Sequence, residues 1–239
     1  MRRSSVVLLL PIQRLPIASP IQIRIVRISG KQLDTSALNC YSNTKQKGSG
    51  TMEIGCVILA AGNSFRFGDN KLLARYGGKA LIEWVLDAVP AERLGPVCVV
   101  TQYPAVAALA EARGFSAVWN REPELGISHS VALGTGALGP SCGGILFLAA
   151  DQPLLRRRSL ERLLERFAEE PDRIVAAASE EHSGNPAIFP AGLFRELQAL
   201  TGDRGGKQLL RRHPELVTEV PVDAAELADV DTPADLAQM

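Results

Sequence analysis

The stretch from Ile54 to Lys71 (IGCVILAAGNSFRFGDNK) constrains the fold more than any other part of this chain. Cys56, Val57, Ile58 and Leu59 form a short apolar run that stops abruptly at the small residues Ala60, Ala61 and Gly62. A run of that length bounded by a turn signal fits a buried strand rather than a helix. The loop beyond it carries Gly62, Arg66, Gly68 and Lys71. Small residues let a ligand come close to the backbone, amides in such a turn can face an anion, and two cations can neutralise its charge. That is a chemistry for phosphates. The loop lacks the Gly-Lys-Ser/Thr closure of a Walker A loop and the G-x-G-x-x-G of a dinucleotide site.

From Met52 onward the pattern alternates. Apolar residues at helical spacing over 80–88 follow the loop, and an Ala-rich helix is expected over 105–113, closed by Gly114. Strands are expected at 96–101, 116–119 and 143–150, and a helix over 127–138. The second half continues with helices over 157–170, 193–200 and 207–212 and strands over 173–178, 186–189 and 216–222. Repeated strand–helix–strand units imply an α/β fold with a mostly parallel sheet and helices on both faces. Ligands of such sheets collect at the carboxyl ends of the strands. Both Ala60–Lys71 and Asp151, which follows the most continuously apolar run of the chain, fall at such ends.

Residues 1–51 differ in character. Pro11, Pro16 and Pro20 argue against a helix, the apolar run at Val6–Leu10 is too short for a signal peptide, and 42–51 has a linker composition. They read as an N-terminal extension or a mis-called start, with the folded domain at 52–239 and translation beginning at Met52.

A formal net charge of +0 argues against nucleic acid or an anionic membrane as the main partner, and no apolar stretch is long enough to span a bilayer. Cys40, Cys56, Cys98 and Cys142 form no C-x-x-C pair, so a disulfide framework or zinc site is not expected. A reduced, cytoplasmic protein is the simple reading.

Two carboxylate groups stand out. Asp151 precedes Gln152-Pro153, and its carboxylate either caps the following turn or binds a metal. In Asp229-Val-Asp231-Thr232-Pro233-Ala-Asp235, Thr232 suits a helix N-cap with Pro233 at the first helical position and Asp235 in the first turn. The same turn can present Asp231 to a crevice. Ser128, at a helix start, suits a phosphate.

These motifs occur in the order of a known family. Leu59-Ala60-Ala61-Gly62 through Arg66 and Lys71 resembles the signature loop of the MobA-like nucleotidyltransferases, and more closely their molybdenum cofactor cytidylyltransferase branch. Asp151-Gln152-Pro153 is similar to the family's D-x-P metal motif, and 229–236 to its D-x-D-T-P-E-D-L ending. The resemblance makes Asp231 the partner of Asp151 in holding Mg2+, with Asp229 as the second choice. Gly126–Gly134 resembles a loop and helix that contact nucleotide or acceptor, with His129 in place of a small polar residue. Gly184-Asn185-Pro186 resembles the G-H-P motif that holds the pterin-bearing acceptor, with Asn185 where the family mostly has His. The segment 202–210 is similar to the family's G-D-x-G-A-R-x-L-L.

The resemblance spans Ile54 to Leu236. It implies a Rossmann-like nucleotidyltransferase in which Leu59, Ala60, Ala61, Gly62, Arg66, Lys71 and Ser128 bind the nucleotide. Arg66, Lys71 and Asp151 then carry catalysis, and Gly184, Asn185 and Pro186 receive the acceptor. CTP, or GTP in a guanylyl variant, and the molybdenum cofactor are the implied substrates, with a recipient molybdoenzyme as a partner. Sugar or alditol phosphates are the rival acceptors, and a non-catalytic accessory protein for molybdoenzyme maturation is the rival from another class.

Overall fold

The computed structural model describes residues 53–63, 67, 70–180 and 183–239. The N-terminal stretch and Arg66 lie outside the described residues. Among the described residues nine strands form in chain order: β1 (Glu53–Ala60), β2 (Arg75–Tyr76), β3 (Lys79–Ala80), β4 (Val97–Thr101), β5 (Ser116–Trp119), β6 (Cys142–Ala149), β7 (Ile174–Ala178), β8 (Ser183–Pro190) and β9 (Val217–Pro221). The helices are α1 (Leu81–Ala88), α2 (Pro104–Glu111), α3 (Ile127–Leu138), α4 (Arg157–Glu169), α5 (Phe194–Gln198), α6 (Lys207–Arg212) and α7 (Pro233–Gln238).

Seven strands make one sheet in the order β5-β4-β1-β6-β8-β7-β9, and β2 and β3 form a small separate hairpin. Every pairing in the large sheet is parallel except those of β8, which runs antiparallel to both β6 and β7. Its reversal has a consequence for the site. The first residues of β8 come back beside the carboxyl end of β6, where Asp151 emerges, Phe147 pairing with Ala187.

Side chains alternate across the sheet with period two. Cys56, Ile58 and Ala60 of β1 pack on the side covered by α1, α2 and α4, together with Ile82, Val106 and Leu160. Val57 of the same strand faces the other side, with Val131 of α3, Leu197 of α5 and Leu209 of α6. The expectation of helices on both faces therefore holds, and each helix sits where its apolar stripe demands. Two expected elements change length. The helix expected over 193–200 is only α5, and the strand expected over 186–189 extends to all of β8, because β6 pairs Pro190 at one end of it and β7 pairs Ser183 at the other.

On the surface, Arg113 ties α2 to α1 by pairing with Asp87 at 2.7 Å and Glu83 at 3.2 Å. The Ala80 N–H and then Arg113 hold the Glu83 carboxyl below its usual range. Burial would raise Asp87, but its bonds from Arg113 and Lys79 outweigh this and lower it. Carboxyls depressed in the folded state give stability above their ordinary pKa of about 4, lost as pH falls through the folded values. Arg113→Met is therefore expected to destabilise at pH 7 by about 0.2–1 kcal/mol per pair lost, these pairs being partly exposed. Thermal melts of both proteins check it: the gap should close toward pH 3, and a gap that persists there would show that the arginine acts through packing instead.

Candidate active site

The nucleotide loop is set by what holds its carbonyls. Three consecutive residues at the end of β4 reach three consecutive carbonyls. Thr101 Oγ1 donates to Ala60 O at 3.1 Å, Gln102 Nε2 to Ala61 O at 2.8 Å, and Tyr103 OH to Gly62 O at 2.8 Å. Gln102 Nε2 also donates to Asn63 Oδ1 at 2.8 Å. With its carbonyls drawn toward β4, the Ala60–Gly62 bend has a fixed shape at the edge of a cavity of roughly 1030 Å³, whose lining includes Leu59, Ala60, Ala61 and Gly62. Thr101, Gln102 and Tyr103 do not line the cavity themselves, so they act through the loop. Sequence reading places no role on them, since a polar triplet after a strand carries no marker of which carbonyls it will meet. Gln102→Ala is expected to raise the apparent KM for nucleotide by about tenfold, the loss of one or two hydrogen bonds that fix the loop, and to leave the thermal midpoint nearly unchanged. Nucleotide titration of the variant measures it, and unchanged affinity would remove the clamp from the account.

Lys71 starts a short turn, Lys71–Leu73, begun by Asn70, whose side-chain oxygen accepts from the Leu72 N–H at 3.1 Å. Its ammonium donates to Asp151 Oδ2 at 2.7 Å and to Asp231 Oδ1 at 2.9 Å. A carboxylate from the middle of the chain and one from near its C-terminus thus meet at one cation on the cavity wall. Burial alone would lower the Lys71 pKa, but Asp151 and then Asp231 outweigh it and hold it above the ordinary value. Lys71 is therefore charged at neutral pH.

The two aspartates are brought together by main-chain stitching between 151–156 and 226–231. The Val230 N–H donates to Asp151 O at 2.9 Å, and the Arg156 N–H to the buried Glu226 carboxylate at 2.9 Å. Gln152, only 3% exposed, donates from Nε2 to Leu227 O at 3.1 Å. Asp231 is fixed in turn by the cap of α7. Asp235 Oδ2 accepts from the Thr232 N–H at 2.7 Å and the Asp231 N–H at 2.9 Å, and Thr232 Oγ1 accepts from the Asp235 N–H at 3.2 Å. The N-cap expected at Thr232 is present, and it positions the carboxylate beside it.

Asp229 also lines the cavity. Burial, followed by the nearby Asp151 charge, raises its carboxyl pKa, with Gln152 and Lys71 pulling the other way. The acid cluster thus holds more negative charge than one ammonium offsets, which favours a further cation. Among the described residues no three His, Cys, Asp or Glu side chains form a ready-made metal cage. Magnesium does not need one: it commonly takes one or two carboxylates and completes its shell with water and substrate phosphates. Asp151 and Asp231 fit that donor set.

The acceptor motif lies on the same cavity. Gly184 and Asn185 line it, whereas Pro186, joined to Asn185 by a cis peptide bond, is buried behind them. The Asn185 side-chain amide lies 2.9 Å from that of Gln152. The same Asn185 amide also lies 3.1 Å from both Phe147 O and Ala149 N, at the end of β6. Asn185 thereby ties β8 to the end of β6.

Ser128 is placed differently from its expected role. It is 2% exposed, and its N–H donates to Gly202 O at 3.2 Å, so the amide expected to face a phosphate is already engaged. The cavity is lined instead by Ile127, Ser130 and Val131. These fall on one face of α3 at i, i+3 and i+4, while Ser128 is turned about 100° from Ile127. Ser130 accepts from Asn120 Nδ2 at 3.0 Å. His129 Nε2 is 3.9 Å from Glu122 Oε2, and His129 is not among the cavity-lining residues.

Residues 56–217 match the family described as the MobA-like NTP transferase domain. The chain belongs to that family. This MobA-like protein is 32% identical over 190 residues to the purine catabolism protein PucB of Bacillus subtilis, covering 74% of this chain and 91% of that one. It is 28% identical over 145 residues to the bifunctional protein GlmU of Pelotomaculum thermopropionicum, covering 59% of this chain but only 32% of that longer protein. Among solved structures, Rv0371c of Mycobacterium tuberculosis superposes with a TM-score of 0.63 at 26% identity, over 78% of this chain and 97% of that one. Rv0371c has also been crystallised in complex with manganese. The fold and the family together make this MobA-like chain a nucleotidyltransferase-type enzyme. Among its described residues no helix is long and apolar enough to cross a membrane.

Proposed function

We propose that the protein is a magnesium-dependent nucleotidyltransferase that moves CMP from CTP onto the terminal phosphate of the molybdenum cofactor and releases pyrophosphate. The observation that carries this reading is the meeting of Asp151 and Asp231 at Lys71, beside a cavity edged by Ala60, Ala61 and Gly62.

In the proposed reaction an acceptor phosphate oxygen attacks the α-phosphorus of CTP, a new P–O bond forms, and the bond to the bridging oxygen of pyrophosphate breaks. The attacking oxygen is already a nucleophile, so no Ser–His–Asp or Cys–His arrangement is required. The protein aligns the two phosphates and offsets the negative charge that gathers between them. Asp151 and Asp231 hold magnesium, which when bound supplies Lewis-acid charge neutralisation to the phosphates. Leu59, Ala60, Ala61 and Gly62 seat the base and ribose. Lys71, with Arg66, holds the triphosphate, and Gly184, Asn185 and Pro186 shape the acceptor side. The manganese complex of Rv0371c supports a divalent cation in this fold.

The resemblance of Leu59–Gly62 to the cytidylyl branch favours CTP over GTP. Ala61, 5% exposed at the cavity wall, adds a methyl group where the guanylyl branch usually has glycine. That methyl narrows the seat in favour of a smaller base.

A panel of CTP, GTP, ATP and UTP against molybdenum cofactor, sugar phosphates and alditol phosphates, each with magnesium and read by pyrophosphate release, tests the proposal. Turnover with CTP and the molybdenum cofactor is expected. Preference for GTP or for a sugar phosphate would reassign donor or acceptor, and no pyrophosphate with any pair would leave a binding protein in place of an enzyme.

A further inference from the structure

The charges on the cavity wall are unevenly matched. Among the described residues four cationic side chains line it: Lys71, Arg204, Lys207 and Arg211. Lys71 is held between two aspartates. No ion pair or hydrogen bond to another described residue engages Arg204, Lys207 or Arg211, and Asp203, the acid on that side of the cavity, is paired with none of them. Among the described residues, the unmatched positive charge of the cavity is therefore contributed by residues 204–211.

That segment is seated firmly. Gly126 has φ +86°, and a Cβ there would lie 2.5 Å from the Gly202 carbonyl carbon, so only glycine lets the two loops touch. The Ser128 N–H then holds Gly202 O. Gly206 lies against the Phe189 ring, where a Cβ would stand 2.7 Å from Cζ. The aliphatic stem of Lys207 runs across Gly184, whose φ is +130° and whose absent Cβ would be 2.8 Å from Lys207 Cγ. A long cationic side chain is thus laid along the backbone of β8 beside Asn185. Lys207 and Arg211 are one turn apart on α6, a spacing that puts both on one face.

Strand order says which substrate meets this wall. The Ala60–Gly62 bend ends β1, Asp151 follows β6, and Gly184–Asn185 begins β8 on the far side of β6. Two strand spacings, about 10 Å, separate β1 from β8, with the acid pair between them. We propose that Arg204, Lys207 and Arg211 form an anion subsite on the β8 side of the cavity that holds a negatively charged group of the acceptor, leaving the β1 side to the nucleotide. This rests on the nucleotidyl-transfer reading for the word acceptor; the anion subsite itself does not.

The two parts are separable by experiment. Inorganic phosphate binding to the full chain without nucleotide, followed by 31P NMR, tests the subsite. The triple variant R204Q/K207Q/R211Q is expected to weaken phosphate binding at least about tenfold, the size of losing charge-assisted hydrogen bonds. The triple variant R121Q/R158Q/R195Q removes the same charge at exposed sites outside the cavity and should bind phosphate as the wild type does. Lys207→Arg keeps the charge and should retain binding. Equal weakening by both triple variants, or none by the first, overturns the subsite, and thermal midpoints confirm that each variant is folded. Steady-state kinetics then tests the assignment to the acceptor: in R204Q/K207Q/R211Q the KM for the acceptor should rise by about tenfold or more, with the KM for CTP within about twofold. A rise confined to CTP assigns the wall to the donor and overturns the proposal. Should the wild type transfer no nucleotide at all, the phosphate arm still decides the subsite, and the failure belongs to the function proposed above.

Discussion

Replacing Asp151 with alanine is expected to lower turnover by about two to three decades, the usual consequence of losing one charged contact to a transition state, while the fold stays intact. The distinction is available because the two roles of this residue use different atoms. Its carbonyl accepts from the Val230 N–H and belongs to the stitching that survives the substitution, whereas its carboxylate faces Lys71 at the cavity. Gln152 and Asn185, which tie the neighbouring segments, are likewise untouched. Pyrophosphate release and a thermal melt on the same preparation check both halves. Turnover near the wild-type rate would remove Asp151 from the reaction, and a collapsed melting transition would make it a structural residue.

Lys71→Ala is expected to have two large effects. Turnover should fall by about two decades or more through loss of a charged contact. Stability should fall as well, by about 1–3 kcal/mol, because Asp151 and Asp231 lose the cation between them and face each other and Asp229. The sign with pH follows from the raised Lys71 pKa. A lysine raised in the folded state contributes stability that is fully present below its ordinary pKa and is lost as pH rises through the folded value. The stability gap should therefore be steady through neutral pH and shrink only in the alkaline range. Added magnesium should raise the melting temperature of the variant more than that of the wild type, since the exposed carboxylates gain a cation. A gap that does not respond to alkali, or a variant indifferent to magnesium, would count against a carboxylate pair that works as an ion site.

How much of this was legible beforehand depended on the range of each interaction. The apolar run at Cys56–Leu59, its break at Ala60–Gly62 and the cap at Thr232–Asp235 are written within a few residues, and each appears where the sequence places it. The pairing of Asp151 with Asp231 was reached through a resemblance of motifs, since no local signal links them. Ser128 shows the limit of a purely local reading. A helix start does favour an anion, but the Gly202 carbonyl took the amide first, and the helical turn sent Ser130 to the cavity instead.

By itself the sequence determined the alternation of strands and helices and the small-residue bend at the end of the first strand. It also set which carboxylates were available, because these follow from periodicity and steric size along the chain. Only the tertiary structure decided that β8 runs backward, that Thr101, Gln102 and Tyr103 draw three carbonyls of the bend toward β4, and that Lys71 lies between two aspartates. The physical reason is that a buried polar group must find a partner but carries no record of which one. Gln152, Glu226 and Ser128 could each have been satisfied in several ways, and the closing of the sheet chose among them.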